Sequence, residues 1–262
     1  MWRFTACCAT NGAARIKEKT EVSGIKSIVK NLIPEFVMQR RRRRIAAQNQ
    51  QRFAEKTVAE TFSEIYEQNI WGGAKGEFYS GDGSTERYSE IYAEQIQKFF
   101  ADNRIKTVVD LGCGDFRVAS KFVTPDFNYV GVDVVPKLIA HLNETKGGAN
   151  VEFRCLNIIE DKLPTGDACL IREVLQHLSN AEISKVLDNC LDYKFVVVTE
   201  CYPNETRPLT PNLDIPHGPD MRLHFDSAVC LNEPPFNRKN IELILDVEAK
   251  EGHRIKTFVI HQ

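Results

Sequence analysis

The sequence predicts a doubly wound α/β fold: a mostly parallel seven-stranded sheet preceded by an N-terminal helical extension. Three observations predict it. From Thr107 onward, short apolar runs alternate with helix-like segments. A glycine turn, Gly112-Cys113-Gly114, directly follows the first of those runs. Basic residues are concentrated in the first 52 positions, which marks that stretch as distinct from the body.

Met1–Val22 is small and polar and reads as a loose tail. Ile25, Ile28, Val29, Leu32, Ile33, Phe36 and Val37 then follow the i, i+3, i+4, i+7 spacing of an amphipathic helix. Pro34 should kink that helix or end it early. The run Arg40–Arg44 comes next, and a helix-prone segment continues to about Gln68. We place the extension at residues 1–60 and the main domain at 61–262. Trp71-Gly72-Gly73 and Tyr79–Ser84 form a glycine-dense loop. Ser84 or Thr85 is placed to cap the following helix, which runs to about Phe100 with Ile91, Ile96 and Phe99 toward the core.

Five strands follow: Val108–Leu111, Tyr129–Val132, Val151–Cys155, Ala168–Ile171 and Phe195–Thr199. Each is read as a near-continuous apolar run, as in a parallel sheet covered on both faces. Ser179-Asn180-Ala181-Glu182 has the spacing of a capping box and opens a helix to about Leu191. The proline-rich stretch from Tyr202 to Pro235 is too long for a plain connector, which points to a role in a site. Glu242–Val247 and Lys256–Ile260 read as a closing pair of strands, and no internal repeat is present.

Composition narrows the function classes. Hydrophobic residues are 42% and charged residues 27%, ordinary globular values that exclude a disordered or fibrous chain. No apolar run approaches a bilayer span, the strongest being the strand-sized Phe195–Val198. Met1–Ala14 lacks a long apolar region, so a cleaved secretory signal is not expected. The eight cysteines are scattered, with Cys155 and Cys169 read as small hydrophobes; a reducing, cytoplasmic setting is expected. Residues 1–52 hold twelve Lys/Arg against three Glu, a net of +9, while the remaining 22 basic and 33 acidic residues give −11. An acidic body repels phosphate, so nucleic acid is not an expected partner. Residues 25–44 admit three readings: a helix packed on the body with solvated arginines, a peripheral contact with the inner face of an anionic membrane, or a basic arm for nucleic acid, the last set aside in the adopted reading.

The chemistry centres on the glycine turn. A strand ending in glycine before a helix brings backbone close to a ligand. The third glycine of a dinucleotide fingerprint would fall at Arg117, and Asp110 and Asp115 would repel a diphosphate while suiting a cationic ligand. Asp133 ends the second strand and is placed to accept hydrogen bonds from both ribose hydroxyls.

The Asp110–Gly114 turn, Asp133 and Asp167–Leu178 resemble class I S-adenosylmethionine-dependent methyltransferases, over about residues 107–200. A closer likeness extends from about Phe62 to the C-terminus. Ile70–Gly73, Phe78–Ser84, Arg172–Leu178 and Asn232–Asn237 resemble bacterial methyltransferases found with surface-glycan assembly enzymes. The resemblance implies a Rossmann-like fold and S-adenosyl-L-methionine as cofactor. Carried over by residue, it implies that Gly112, Cys113 and Gly114 line the methionine portion, with Asp110 or Asp115 near its amino group. Asp133 would hold the ribose, Val134 would flank the adenine, and Asn157 and Ile158 would meet the adenine edge. Asn157 stands where the family often has Asp. Arg172 and Glu173 would lie beside the methyl donor.

A hydroxyl acceptor needs a base. The candidates are Glu173, His177, and His224 with Asp220 or Asp226 setting its tautomer. The polar segment Asp214–Asp226 is read as a lid that receives the acceptor. Its alternatives are a hydrogen-bonded loop without chemistry and a divalent-cation site at Asp214, His217, Asp220 and His224; the adopted reading assigns no metal. The expected function is O-methylation of a sugar or glycan intermediate. A protein or non-sugar small-molecule acceptor and a non-catalytic cofactor-binding module stand as alternatives, with an NAD-dependent oxidoreductase disfavoured.

Overall fold

The computed structural model describes residues 35–84 and 86–262. The chain divides into two compact units, residues 1–45 and 46–262. Helix α1, Glu35–Phe53, includes Arg40–Arg44. The tail, Pro34 and the apolar positions from Ile25 to Ile33 lie outside the described residues.

The helix-prone stretch to Gln68 is two helices, not one. After α1 the chain turns, and α2 spans Val58–Glu67. Thr57 Oγ1 accepts from the Glu60 amide at 3.3 Å, and the Glu60 carboxylate accepts from the Thr57 amide at 2.9 Å. That reciprocal pair restarts the helix. Helix α3 spans Glu86–Asn103, with Ile96 and Phe99 buried and Ile91 half-buried. Ser84 is not its cap: the Ser84 hydroxyl donates to the Gly81 carbonyl at 2.7 Å. Thr85 is outside the described residues.

The sheet contains β1 (Thr107–Leu111), β2 (Asn128–Asp133), β3 (Val151–Cys155), β4 (Ala168–Arg172), β5 (Phe195–Tyr202), β8 (Ile241–Glu248) and β9 (Arg254–His261). Their order is β3-β2-β1-β4-β5-β9-β8. β1 to β5 pair in parallel, and β9 runs antiparallel to both β5 and β8. β6 (Thr210–Pro211) and β7 (Ser227–Ala228) form a separate small pair. Helices α4 (Pro136–Thr145) and α5 (Asn180–Asn189) follow β2 and β4, and α5 opens with the expected Ser179–Glu182 capping box.

Alternate residues of the central strands feed two cores. Val108, Tyr129, Leu170 and Val197 pack with Ile96 of α3 and Leu138 of α4. Val109, Val132, Ile171 and Val198 pack with Ile183 and Val186 of α5. Burial of both strand faces explains the continuous apolar runs of β1, β2, β4 and β5. β3 departs from that expectation. It is one of the two edge strands, Phe153 alone of its five residues is buried, and Cys155 is exposed where a core contact was expected. Cys169 is fully buried, and Cys113, Cys155, Cys169, Cys190, Cys201 and Cys230 are all free thiols. Among the described residues, no helix is long and apolar enough to cross a membrane.

The strand order reverses at β1, which has β2 on one side and β4 on the other. In open α/β sheets such a reversal leaves a crevice at the carboxyl ends of the strands.

Candidate active site

The crevice is a cleft built where β1, β2 and β4 end and covered by residues of α2 and the 70–84 loop. Gly112 turns the chain out of β1 with φ +79°, and a Cβ there would come within 2.5 Å of Val174 Cγ2. Both the left-handed backbone and the close approach require glycine. The Gly112 and Cys113 amides donate to the Val132 carbonyl at 2.7 and 2.9 Å, which pins the turn to β2.

The helix expected after this turn is absent; the chain forms one 3-10 turn, Ala119–Lys121. The free amides of the turn go instead to side chains. Gly114 donates to Asp133 Oδ2 at 3.2 Å, and Asp115 donates to Ser80 Oγ at 2.9 Å. Burial pushes the Cys113 thiol well above the ordinary value, and the nearby Asp133 adds to the effect.

The predicted cofactor residues, from Asp110 through Arg172, all line the cleft, together with Glu173 and His177; His224 does not. Two carboxyls define its electrostatics. Asp110, 8% exposed, accepts from Tyr129 Oη at 2.6 Å, and burial pushes its carboxyl up to about 6. Asp133, equally buried at 8%, is also raised to about 6 by desolvation. Its Oδ1 accepts from the Val135 amide at 3.1 Å and its Oδ2 from Gly114 at 3.2 Å. Buried carboxyls of this kind favour a cationic occupant. Asp115 accepts from the Ser80 and Arg117 amides and also faces the Arg117 guanidinium at 3.7 Å. Asn157 Oδ1, read as an adenine acceptor, also accepts from the Ile159 amide at 3.1 Å.

Glu173 follows β4 with φ +55°, a strained conformation for a residue bearing a Cβ. Its amide donates to the Thr199 carbonyl at 2.7 Å, which fixes the turn. His177 lies on a 3-10 turn, Leu175–His177. Its ring packs against Trp71 (centroids 5.1 Å apart) and Phe62 (6.5 Å). His177 Nδ1 is 3.3 Å from the Asp220 carbonyl, which can only accept, so the proton is assigned to Nδ1. Burial lowers this imidazole to about 4, which makes it a poor proton acceptor at neutral pH.

The 214–226 segment contributes no side chain to the cleft lining. His224 Nδ1 is 3.8 Å from Asp220 Oδ1, whereas Asp226 pairs with Arg207 at 3.3 Å. His217 is bound to Glu182 at 2.7 Å and the Lys56 carbonyl at 3.1 Å, and Asp214 accepts from the Asn180 amide. The four-residue cation site is thus dispersed, and among the described residues no group of three or more His, Cys, Asp or Glu is placed to hold a metal. The segment works as a brace. The Arg222 guanidinium, 1% exposed, donates to the carbonyls of Leu213 and Leu175 and to Asn180 Oδ1. Pro219 accepts from Trp71 Nε1 at 3.2 Å.

Several cleft residues were not singled out by sequence reasoning: Phe62, Tyr66 and Tyr92 among the lining, and Glu200 behind it. Glu200 accepts from the amides of Leu175 and Gln176 at 2.9 and 3.3 Å and so holds the turn that carries His177. The apolar run into Thr199-Glu200 signalled only a strand.

Residues 108–193 match a family described as a methyltransferase domain. No curated protein matches the chain. Among solved structures, the N-methyltransferase NodS from Bradyrhizobium japonicum WM9 in complex with S-adenosyl-L-homocysteine is similar, with a TM-score of 0.54 at 12% identity, covering 77% of this chain and 100% of that one. Human N-acetylserotonin methyltransferase in complex with SAM has a TM-score of 0.44 at 14% identity, over 75% of this chain and 62% of that chain. The N-terminal domain of EvdMO1, in the presence of SAH and D-fucose, has a TM-score of 0.48 at 13% identity, over 78% and 97%. At such identities the likeness is one of fold, and NodS is the match that supports it.

Proposed function

We propose that this chain, whose residues 108–193 match a family described as a methyltransferase domain, is a class I S-adenosylmethionine-dependent methyltransferase that methylates a hydroxyl of a sugar or glycan intermediate. The cleft fits the cofactor: its two buried carboxyls suit the cationic and hydroxyl-rich groups of an adenosyl compound. Asp133 would hold the ribose, Val134, Asn157 and Ile158 the adenine, and Gly112–Gly114 with Asp110 the methionine portion. Bound there, S-adenosylmethionine supplies an electrophilic methyl group on a sulfonium.

The protein's own part is alignment and proton removal. Glu173 is the group we assign to the acceptor proton, because its carboxylate lines the cleft on a strained, well-held backbone. That placement is the observation that carries the reading of a hydroxyl acceptor. As the oxygen takes the methyl, its proton passes to Glu173 and the sulfonium charge is lost. His177, Trp71 and Phe62 supply an apolar wall that excludes water. Support for a sugar comes from the surface-glycan motifs: segments 70–73, 78–84 and 172–178 all contribute to the cleft lining. The fourth, Asn232–Asn237, does not, and buries Phe236 in a core.

The test is transfer of a labelled methyl group to sugar nucleotides and lipid-linked oligosaccharides, run beside amines and proteins. An alkali-stable methyl ether on a sugar is expected. Label appearing only on amines or on protein would defeat the proposal.

A further inference from the structure

The 218–220 backbone makes three contacts with the aromatic wall of the cleft. Gly218 donates its amide to the His177 carbonyl at 3.0 Å, Pro219 accepts from Trp71 Nε1 at 3.2 Å, and the Asp220 carbonyl faces His177 Nδ1 at 3.3 Å. Trp71 and His177 line the cleft, whereas none of residues 217–220 does. The setting of the wall is therefore dictated from outside, by whatever fixes this backbone. Side chains pin it at each end. Asp220 accepts from Asn49 Nδ2 of α1 through both oxygens, at 3.2 and 3.1 Å. His217 bridges two other elements: Nδ1 lies 2.7 Å from Glu182 Oε1 on α5, and Nε2 lies 3.1 Å from the Lys56 carbonyl, just ahead of α2.

The two partners of His217 settle its charge. The Lys56 carbonyl can only accept, so Nε2 carries a proton. Glu182 is the capping carboxylate of α5, its Oε2 taking the Ser179 amide and hydroxyl; its Oε1 accepts as well, so Nδ1 carries the second proton. The bond to Glu182 raises the imidazole above its ordinary 6.5, against the opposing effect of burial. The other charged groups around it have partners of their own. Lys56 Nζ pairs with Glu64 of α2, Asp214 accepts from the Asn180 amide, and Asp220 stands 3.8 Å from His224 Nδ1. Arg222 donates to Leu213, Leu175 and Asn180.

We propose that His217 is a positioning residue for the cleft wall: its imidazolium staples the 217–220 backbone to α5 and to the linker ahead of α2, and through that backbone holds Trp71 and His177 in place. A neutral imidazole has one donor, so proton loss releases one of the two bonds and sets a bare ring nitrogen against an acceptor oxygen. The staple is complete below pH 6.5 and is lost as pH rises through the raised value. The wall belongs to the ligand-free chain, so this holds whatever acceptor the cleft takes.

Trp71 itself reports the outcome. The chain has two tryptophans, and Trp2→Phe leaves Trp71 as the sole indole. In that full-length background, Trp71 emission and its quenching by acrylamide are followed from about pH 5 into the alkaline range. A step above pH 6.5 to a redder, more readily quenched indole is expected. His217→Gln has no ring proton to lose, so the step should vanish and the indole should show the loosened form at every pH. Glu182→Gln removes the charge that raises the imidazole and should move the step to lower pH. His224→Gln should leave it in place. Asp110, Asp133 and Glu200 also titrate, and any signal of theirs persists in every variant, so the staple accounts only for what His217→Gln removes. A step retained in full in His217→Gln overturns the inference, as does a step lost in His224→Gln instead. Should His217→Gln not fold, Glu182→Gln decides: a displaced step supports the staple, and an unmoved one overturns it.

Discussion

The Cα of Gly83 lies against the carboxylate of Glu173, so close that a Cβ on Gly83 would stand 1.6 Å from Oε2. The obstructed atom is the end of a flexible side chain, so Gly83→Ala should move the carboxylate rather than the fold. We expect a melting temperature within a few degrees of wild type and unchanged binding of S-adenosylhomocysteine. Methyl transfer to the acceptor found by screening should fall on the order of 10²-fold, the usual cost of a misplaced group. An undiminished rate would remove Glu173 from the chemistry.

The carboxyls of Asp110 and Asp133 are each raised to about 6, from 3.8 in the unfolded chain. The folded form holds these protons more tightly, so their stabilising contribution is full below the unfolded value and is lost as pH rises through about 6. The ligand-free protein should lose stability across that window. Ligand binding needs the ionised carboxylates, so affinity should rise across the same window. Thermal scans should show a larger shift by S-adenosylhomocysteine at about pH 7 than at about pH 5, with proton release on binding between them. A flat profile would contradict the assignment.

Glu200 is 1% exposed, and burial with the neighbouring charge of Glu173 raises its carboxyl to about 8. Its contribution is likewise lost as pH rises from 4.5 through about 8. Glu200→Gln keeps one acceptor and removes the titration, so at neutral pH it should cost no more than about 1 kcal/mol and should flatten stability above neutrality. Glu200→Ala leaves the Leu175 and Gln176 amides unpaired and should cost about 1–3 kcal/mol for each. Urea denaturation on both sides of pH 8 distinguishes these outcomes.

Residues 25–44 remain a proposed peripheral membrane contact, with Arg40–Arg44 on a helix. Each cation near anionic headgroups contributes about 1 kcal/mol. The full chain should sediment with anionic liposomes at low salt and be released by high salt. Binding unaffected by deleting residues 1–50 would end the proposal.

Much of the sheet was legible because its inner strands are buried on both faces, which leaves unbroken apolar runs. β3 was readable in position but not in character, since an outer strand needs burial on one side only. That the residues proposed to hold the cofactor share one cleft was legible for a local reason: glycine turns and strand-end acids are fixed by their own few neighbours. The rest of the cleft depends on distant segments. Phe62, Tyr66 and Trp71 look like ordinary helix and loop aromatics until the fold carries them over β1. Arg222 reads as a surface charge among prolines, and three long-range acceptors make it a buried anchor. His224 and His177 were equally attractive in sequence; which of them meets the cleft is decided by the path of the 214–226 segment.

Ser80 is bound to Asp115 in both directions, amide to carboxylate at 3.2 Å and amide to hydroxyl at 2.9 Å, and also meets Tyr66 Oη at 2.9 Å. Residues 78–84 are therefore fastened to the bend proposed to hold the cofactor. If these three links hold the site closed, the tempo of repeated turnover is expected to follow the unfastening of residues 78–84 rather than the transfer itself.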